Sequence, residues 1–598
     1  MLEYSIPALA EIPASTNLTD VVTRRAAEQP GAVVLRRKAA DGPWSDVTAE
    51  QFAAEVHALA RGLIAAGVQA GDRIALMSHT RYEWTLIDYA LWTAGAVVVP
   101  IYETSSAEQA EWILANSEAR AVIVENDEFA SLVAVARDRL PALEHVWLLA
   151  DLPSLTAAGA EITAEAVTAR TRSRGAADTA TVIYTSGTTG RAKGCEITHE
   201  NLLAVVRNAF LGPLASIHEG GASSTLLFLP LAHVFARIIE VGTLEAGIVL
   251  GHCSDMNDLL PDLASFKPTF VLAVPRVFEK VYTGAEARAI GEGKGKIFTR
   301  AANTAVAYSE SLGAPGGPGL GLRLQHALFD RLVYGKLRAA LGGQARFAVS
   351  GGAALAPRLG HFFRGIGVAV LEGYGLTETT APVSVNRPER QKIGSVGQPL
   401  PGVAVRIAED GEILVRGKSI FPGYWHDETA TKDAFTADGY YATGDIGELD
   451  DEGFLTITGR KKEMIVTAGG KNVAPTILED RLRTHALISQ CMVVGDGRPF
   501  IGVLVTLDPE TFGPWKARHG KPAAATATDL RDDPDLNAEI QAAVDDANQA
   551  VSRAESIRKF RLLDGDFTQE QGHLSAKLGI KRAVLAKDFA HEIEALYA

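Results

Sequence analysis

The sequence predicts an α/β protein. A large N-terminal domain of layered α/β sheets with a β-rich subdomain precedes a small α+β C-terminal domain. Three observations carry this. Short apolar runs alternate with helical patterns over roughly the first 350 residues, which argues for layered and largely parallel sheets. Near residue 400 the texture changes to short strands and turns. The chain has 598 residues, beyond what one hydrophobic core usually holds, so at least two domains are expected.

In chain order, "DRIALMS" (72–78), "AVVVPIY" (96–102), "ARAVIVEN" (119–126) and "EHVWLLA" (144–150) read as buried strands. Between them "AAEVHALARGLIAAG" and "WTLIDYALWTAG" place apolar residues at three- and four-residue steps and read as helices. The strand pattern returns at 224–230, 269–274 and 345–350, and "GAPGGPGLG" (313–321) reads as a loop. In "GVAVRIAEDGEILVRG", Glu409-Asp410-Gly411 is a hairpin signal. After "ITGRKKE" (457–463) a smaller segment carries the strands "QCMVVGD" and "FIGVLVTLD" and a helical stretch at about 534–557. This predicts domains at 1–460 and 461–598.

Composition narrows the function. Apolar residues make up 47% and charged residues 22%, as in ordinary globular proteins. The net charge is −14, which speaks against nucleic acid as a bulk partner and against electrostatic binding to anionic lipid. The start, "MLEYSIPALAEIPAS", lacks the basic and apolar regions of a signal peptide. No apolar run reaches the roughly 18 residues of a membrane-spanning helix. Three scattered cysteines, Cys195, Cys253 and Cys491, suit a reducing cytoplasm, and no Cys/His pair has zinc spacing. The adjacent His252 and Cys253 read as packing.

"TVIYTSGTTGRAKGCEITHEN" (181–201) is the first chemical stretch. A strand runs into a loop of small and hydroxylic residues. Gly187 and Gly190 permit positive φ angles that turn backbone N–H groups inward, Thr185, Ser186, Thr188 and Thr189 add hydroxyls, and Lys193 adds a point charge. Such a loop suits phosphate, and a solvated turn is the alternative for the loop alone. Its spacing is not that of a Walker loop.

Further stretches stand in a fixed order: "FLPLAHVFAR" (228–237), "AVSGGAAL" (348–355), "EGYGLTETT" (372–380), "YATGDIGEL" (441–449), "GRKKEMIVTAGGKNVAP" (459–475) and "QCMVVGDGRPF" (490–500). With the loop, this set resembles the adenylate-forming superfamily of acyl-CoA synthetases, luciferases and peptide-synthetase adenylation domains. "GGKNVAP" and "PRVFEKVY" (275–282) resemble bacterial long-chain fatty-acid–CoA ligases most closely.

The resemblance implies a role for each matched position. Thr185, Ser186, Gly187, Thr188, Thr189 and Lys193 would hold the ATP β- and γ-phosphates. Tyr374, followed by Gly375, would stack on adenine, with Gly352 and Ala353 across the slot. Thr377 would touch the α-phosphate and Glu378 would hold Mg²⁺. Asp445 would accept from both ribose hydroxyls, Arg460 would assist there, and His233 would stand at the mouth of the acyl pocket. A hinge at Lys462 would make the small domain mobile between two half-reactions. In the first, a carboxylate attacks the α-phosphorus of ATP and pyrophosphate leaves; in the second, a thiol, normally that of coenzyme A, displaces AMP.

One stretch departs from the pattern. The family's C-terminal motif resembles L-T-P-[ST]-x-K-x-K-R, whose central lysine serves adenylation. Here it reads "LSAKLGIKR" (574–582), with Gly579 at the lysine position and Lys577 and Lys581 two residues to either side. Three accounts stay open: Lys577 substitutes through a shifted loop, the substrate needs no such lysine, or adenylation is lost. The expected activity is an ATP-dependent ligase that activates a long-chain fatty acid and transfers it to coenzyme A. A repurposed ligase, such as an ATP-dependent diazotase joining nitrite to an aromatic amine, is the alternative. A non-catalytic nucleotide-binding protein is the third reading. Monomer and homodimer are both compatible with the sequence.

Overall fold

The computed structural model describes residues 2–38, 42–185, 191–218, 223–468, 471–553, 555–574 and 579–597. Its first sheet runs in the order His145–Leu148, Ala121–Val124, Arg73–Met77, Val97–Ile101, Thr179–Thr185, Lys193–Thr198. Pairing is parallel until Thr179–Thr185 meets Lys193–Thr198 antiparallel. The central strands are mostly apolar because both faces are covered. Ile74, Leu76 and Val98 point into the main core, while Ala75, Met77, Val97 and Val99 point into a second cluster with Ile113, Leu114 and Phe129. The covering helices begin where the sequence supplies caps. Thr48 and Gln51 form a reciprocal capping box at the helix Ala49–Ala65, and Ser106 and Gln109 do the same at Ala107–Asn116.

A second sheet joins Phe270–Ala273, Phe347–Ser350 and Ala369–Tyr374 in parallel, then adds Ser384–Val385 and Gln398–Pro399 antiparallel. A third runs Ser224–Leu227, Val249–His252, Val33–Lys38, Trp44–Thr48. The helices Pro275–Gly291, Gly295–Leu312, Leu320–Phe329 and Gly335–Ala340 lie between the first two strands of the second sheet. The β-rich part is an antiparallel sheet in the order Glu3–Ser5, Val403–Ile407, Glu412–Gly417, Tyr441–Leu449, Leu455–Arg460. Its hairpin turns at Gly411, whose φ of 84° a side chain would resist.

After Ile465 the chain packs around different cores. The strands Ile488–Val494, Ile501–Leu507 and Ile557–Leu563 form one sheet. Cys491, Val493, Val503 and Val505 face the helices Pro475–Leu482 and Pro534–Asn548, and Met492, Leu504 and Leu563 face the opposite side with Leu585 and Leu596. The helix expected at about 534–557 ends earlier, at Asn548. The Asn548 side chain accepts from Ile557 N at 2.7 Å and donates to its carbonyl at 3.0 Å, closing a turn that sends Ile557–Leu563 into the sheet. The strand expected over 144–150 stops at Leu148, whose N–H donates to the Asp151 carboxylate at 2.9 Å and starts a helical turn. The loop expected over 313–321 gives way to helix at Leu320. No helix among the described residues is long and apolar enough to cross a membrane.

Candidate active site

The candidate residues collect where parallel strands end, the usual ligand side of such sheets. Ser350 pairs with Glu372 across the second sheet, so Gly351-Gly352-Ala353 leaves the sheet beside Gly373-Tyr374-Gly375. Gly352 has φ 84°, and a Cβ on Gly375 would lie 2.9 Å from the backbones of Ala381 and Pro382. Both positions therefore require glycine. The turn that follows is strained: Thr380 and Ala381 are buried at φ 55° and 39°. Thr379 Oγ1 accepts from Leu376 N at 2.8 Å and holds this turn, which carries Thr377 and Glu378. Such strain is characteristic of functional segments. The buried Glu372 carboxylate accepts from Leu355 N at 3.2 Å and ties the two loops together; burial pushes its pKa up to about 7.

Asp445 lies on Tyr441–Leu449 directly opposite Arg460. Its carboxylate is 2% exposed, accepts from Tyr374 Oη at 2.7 Å, and pairs with Arg460 Nε at 3.0 Å. Burial raises its pKa, opposed by the Arg460 charge and the Tyr374 hydrogen bond. Thr443 Oγ1 steadies the backbone by accepting from Asp445 N at 3.1 Å. Tyr374, Asp445 and Arg460, drawn from two sheets, thus form one bonded unit.

A second unit gathers around Tyr424, which sequence reasoning did not single out. Its hydroxyl donates to Glu378 Oε1 at 3.0 Å, and Lys193 Nζ lies 5.2 Å from its ring centre. Thr185 pairs with Lys193 across the hairpin, and Cys195 bridges to Tyr424 through the backbone. Tyr424 belongs to "FPGYW" (421–425), an aromatic run after Pro-Gly that could have marked it. Lys193 Nζ is 3.6 Å from Asp427, a loose pair that leaves the ammonium partly exposed. Ser186, Gly187, Thr188, Thr189 and Lys577 lie outside the described residues. Cys195 is buried against Phe421 and Tyr441, and His252 donates to or accepts from Thr85 Oγ1 at 2.9 Å within the core.

His233 caps the helix Val234–Ala246, its Nδ1 accepting from Phe235 N at 3.1 Å. Phe235 lies against Gly351, which brings this helix start to the Gly351-Gly352-Ala353 loop. The helix is pinned from below by a fully buried ion pair, Arg237 with Asp88 at 3.0 Å. Trp84 Nε1 donates to the same carboxylate at 3.1 Å, and the Arg237 guanidinium lies 5.6 Å from the Trp92 ring centre. Buried pairs of this kind specify position more than they add stability.

The AMP-binding enzyme family matches residues 22–425, and its C-terminal domain matches residues 462–598. The chain belongs to the AMP-binding enzyme family. Among similar AMP-binding enzymes, a long-chain-fatty-acid–CoA ligase, FadD15 of Mycobacterium bovis, is 53% identical over 602 residues, covering 100% of both chains. The fold is shared with the A-PCP didomain of a carboxylic acid reductase from Segniliparus rugosus, solved with AMP, at TM-score 0.74 and 22% identity over 98% of this chain and 82% of that one. It is also shared with an o-succinylbenzoate coenzyme A synthetase from Bacillus subtilis, solved with ATP and magnesium ion, at TM-score 0.66 and 20% identity over 94% and 98%. Enzymes of this adenylate-forming family use ATP.

Proposed function

We propose that the chain is an ATP- and Mg²⁺-dependent ligase that converts a long-chain fatty acid to its acyl-adenylate and transfers the acyl group to coenzyme A. The observation that carries the reading is end-to-end identity of 53% with an enzyme named for that reaction, over a chain whose Tyr374–Asp445–Arg460 unit suits a nucleoside.

In this reading Asp445 keeps acceptor sites for two ribose hydroxyls, since an ionised carboxylate offers about four lone-pair sites and two are engaged. Tyr374 presents its ring face to adenine, opposite Gly352 and Ala353, and Arg460 screens the ribose side. Thr377, on the strained turn, meets the α-phosphate. Thr185, Ser186, Gly187, Thr188, Thr189 and Lys193 receive the terminal phosphates, the Lys193 ammonium being partly exposed and loosely paired. Glu378 suits Mg²⁺, which binds through one or two carboxylates together with substrate phosphates and water. Its Oε2 carries no described hydrogen bond while Tyr424 holds Oε1, and no group of three His, Cys, Asp or Glu side chains builds a protein cage among the described residues. The metal would neutralise phosphate charge as it shifts; the protein positions the carboxylate and the α-phosphorus. His233 stands at the acyl entrance through its contact chain to Gly351. Residues 461–598 would swing at Lys462 between the two half-reactions.

Gly579 is the observation that favours a second reading, a ligase of the same fold acting on nitrite and an aromatic amine. One experiment separates these. Pyrophosphate release is measured with Mg-ATP and palmitate plus coenzyme A, with nitrite plus an aryl amine, and with neither. Release driven by palmitate is expected. Release driven by nitrite plus amine, or nucleotide binding without any release, would overturn the fatty-acid reading.

A further inference from the structure

The helix Leu320–Phe329 and the π turn Asp330–Tyr334 expose leucine where a packed helix would hide it. Leu320 is 79% exposed, Leu324 74%, Leu328 56% and Leu332 53%. These four stand at four-residue steps. In an α-helix each such step overshoots one turn by about 40°, so they line one slowly winding stripe. The wider π turn offsets that drift before Leu332. The same helix buries Phe329, on its other side, so the stripe is a second apolar face and not a misplaced core face. Exposed apolar stripes of this size mark interaction surfaces.

The charge around the stripe identifies what covers it. Residues 288–338 hold eight Lys or Arg against three Asp or Glu, a net of +5, in a chain of net −14. Arg323 and Arg331 project from the stripe's own helix, and Lys296, Arg300 and Lys336 are exposed nearby. The segment's acidic residues are partly spent, Glu292 on Lys294 at 2.8 Å and Asp330 on Arg338 at 2.6 Å. Beside the stripe, Lys296, Arg300, Leu322 and Gln325 line an open groove of about 700 Å³. The chain-wide charge argues against anionic lipid, and this face reverses that argument locally, because screening confines each charge's influence to roughly 8–10 Å.

We propose that the Leu320–Leu332 face docks on an anionic membrane surface, with the leucines entering the headgroup boundary and the arginines meeting lipid phosphates. Leucine and arginine on one amphipathic helix are the composition of interfacial helices. A second copy of the chain is disfavoured as the occupant, because pairing this face with itself would set +5 against +5. The surface stands on exposure and charge alone. Its use, collecting a poorly soluble acid from a bilayer, rests on the fatty-acid reading.

The test is co-sedimentation with phosphatidylglycerol vesicles and with phosphatidylcholine vesicles. Wild type, Leu324→Ser/Leu328→Ser, Arg323→Gln/Arg331→Gln and the control Val135→Ser, at an exposed valine ending a helix that packs on the first sheet, are compared. Circular dichroism and AMP binding establish that each is folded. Wild type and control are expected to bind phosphatidylglycerol in a salt-sensitive manner and phosphatidylcholine much less. The arginine pair should weaken binding by about twenty-five-fold, since each cation near an anionic surface contributes about fivefold. The leucine pair should weaken it at least tenfold. No binding by wild type, or binding that both folded variants retain, overturns the proposal. A wild-type dimer in sedimentation velocity that the leucine pair dissociates also overturns it and assigns the face to a second copy. Failure here with intact palmitate-driven pyrophosphate release would leave the proposed function standing.

Discussion

Removing the Tyr374 hydroxyl should move the pH at which ribose binding fails. Asp445 is 2% exposed and carries two donors, Tyr374 Oη at 2.7 Å and Arg460 Nε at 3.0 Å. Burial raises its pKa above the ordinary aspartate value while these two donors oppose the rise. The proposed ribose contact uses the ionised form, so affinity should fall as pH drops through that raised pKa. Tyr374→Phe keeps the ring and deletes a donor to the anion. A hydrogen bond to a charged group contributes about 1.5–3 kcal/mol, and one pKa unit is about 1.4 kcal/mol. The variant's carboxyl should therefore become neutral about one to two pH units higher than in wild type, so the loss of affinity begins sooner on acidification. In alkaline buffer the variant should bind nearly as well as wild type. Adenosine is the better ligand, because the phosphate of AMP itself titrates near pH 6. The assay is calorimetric adenosine binding across a pH series, with Asp445→Asn as the control expected to be weak and flat throughout. A Tyr374→Phe midpoint equal to or below that of wild type would refute the claim that this hydroxyl supports an ionised, ribose-binding carboxylate.

Asp445→Ala should weaken AMP binding at least tenfold by calorimetry, one lost charge-assisted contact being worth about 1.5–3 kcal/mol. Glu378→Gln should lower pyrophosphate release at limiting Mg²⁺ far more than it lowers nucleotide affinity; wild-type release under that condition would remove Glu378 from the metal site. Gly579→Lys should raise palmitate-driven pyrophosphate release by about 10²–10³, the worth of a positioned charge at the α-phosphate, if adenylation here works around a missing lysine. Lys577→Ala should then cripple the wild type, and indifference to both changes would mean that this segment does not set the chemistry.

Much of the fold is legible because the strands obey simple patterns. The apolar runs within Arg73–Met77 and Val97–Ile101 mark them as buried strands, and alternate residues do serve two cores. Where the reading fails, a side chain has overruled the local pattern. Asn548 closes onto Ile557 and ends a helix whose composition alone would let it continue. The candidate site is legible as a set of motifs, but its wiring is not. Nothing in "EGYGLTETT" shows that the tyrosine hydroxyl will meet Asp445 from another sheet, or that Tyr424 will hold Glu378. The Arg237–Asp88 pair is equally hidden, since Asp88 stands in a helix of apolar residues and its partner lies far along the chain. The leucine stripe misleads in the other direction. Apolar residues at four-residue steps read as a buried face, and the exposure of these leucines, with Phe329 buried instead, shows that this one is turned outward.

The frame around Gly579 bears on what that glycine means. Leu574 and Ile580 form an antiparallel bridge on either side of the segment. Just beyond, Arg582 is anchored: its guanidinium donates to Glu479 and to the Val493 carbonyl at 3.2 Å, and its Nε lies 3.5 Å from Glu463, next to the proposed hinge at Lys462. Glu479 in turn accepts from Val493 N at 2.6 Å. An arginine so placed ties the end of the segment to Glu463 and Glu479. Gly579, the position proposed for the family's lysine, is exposed. A lysine introduced there would stand at an exposed position, where a substitution usually changes stability by no more than about 0.5 kcal/mol. A change in turnover in Gly579→Lys would thus report on chemistry and not on folding.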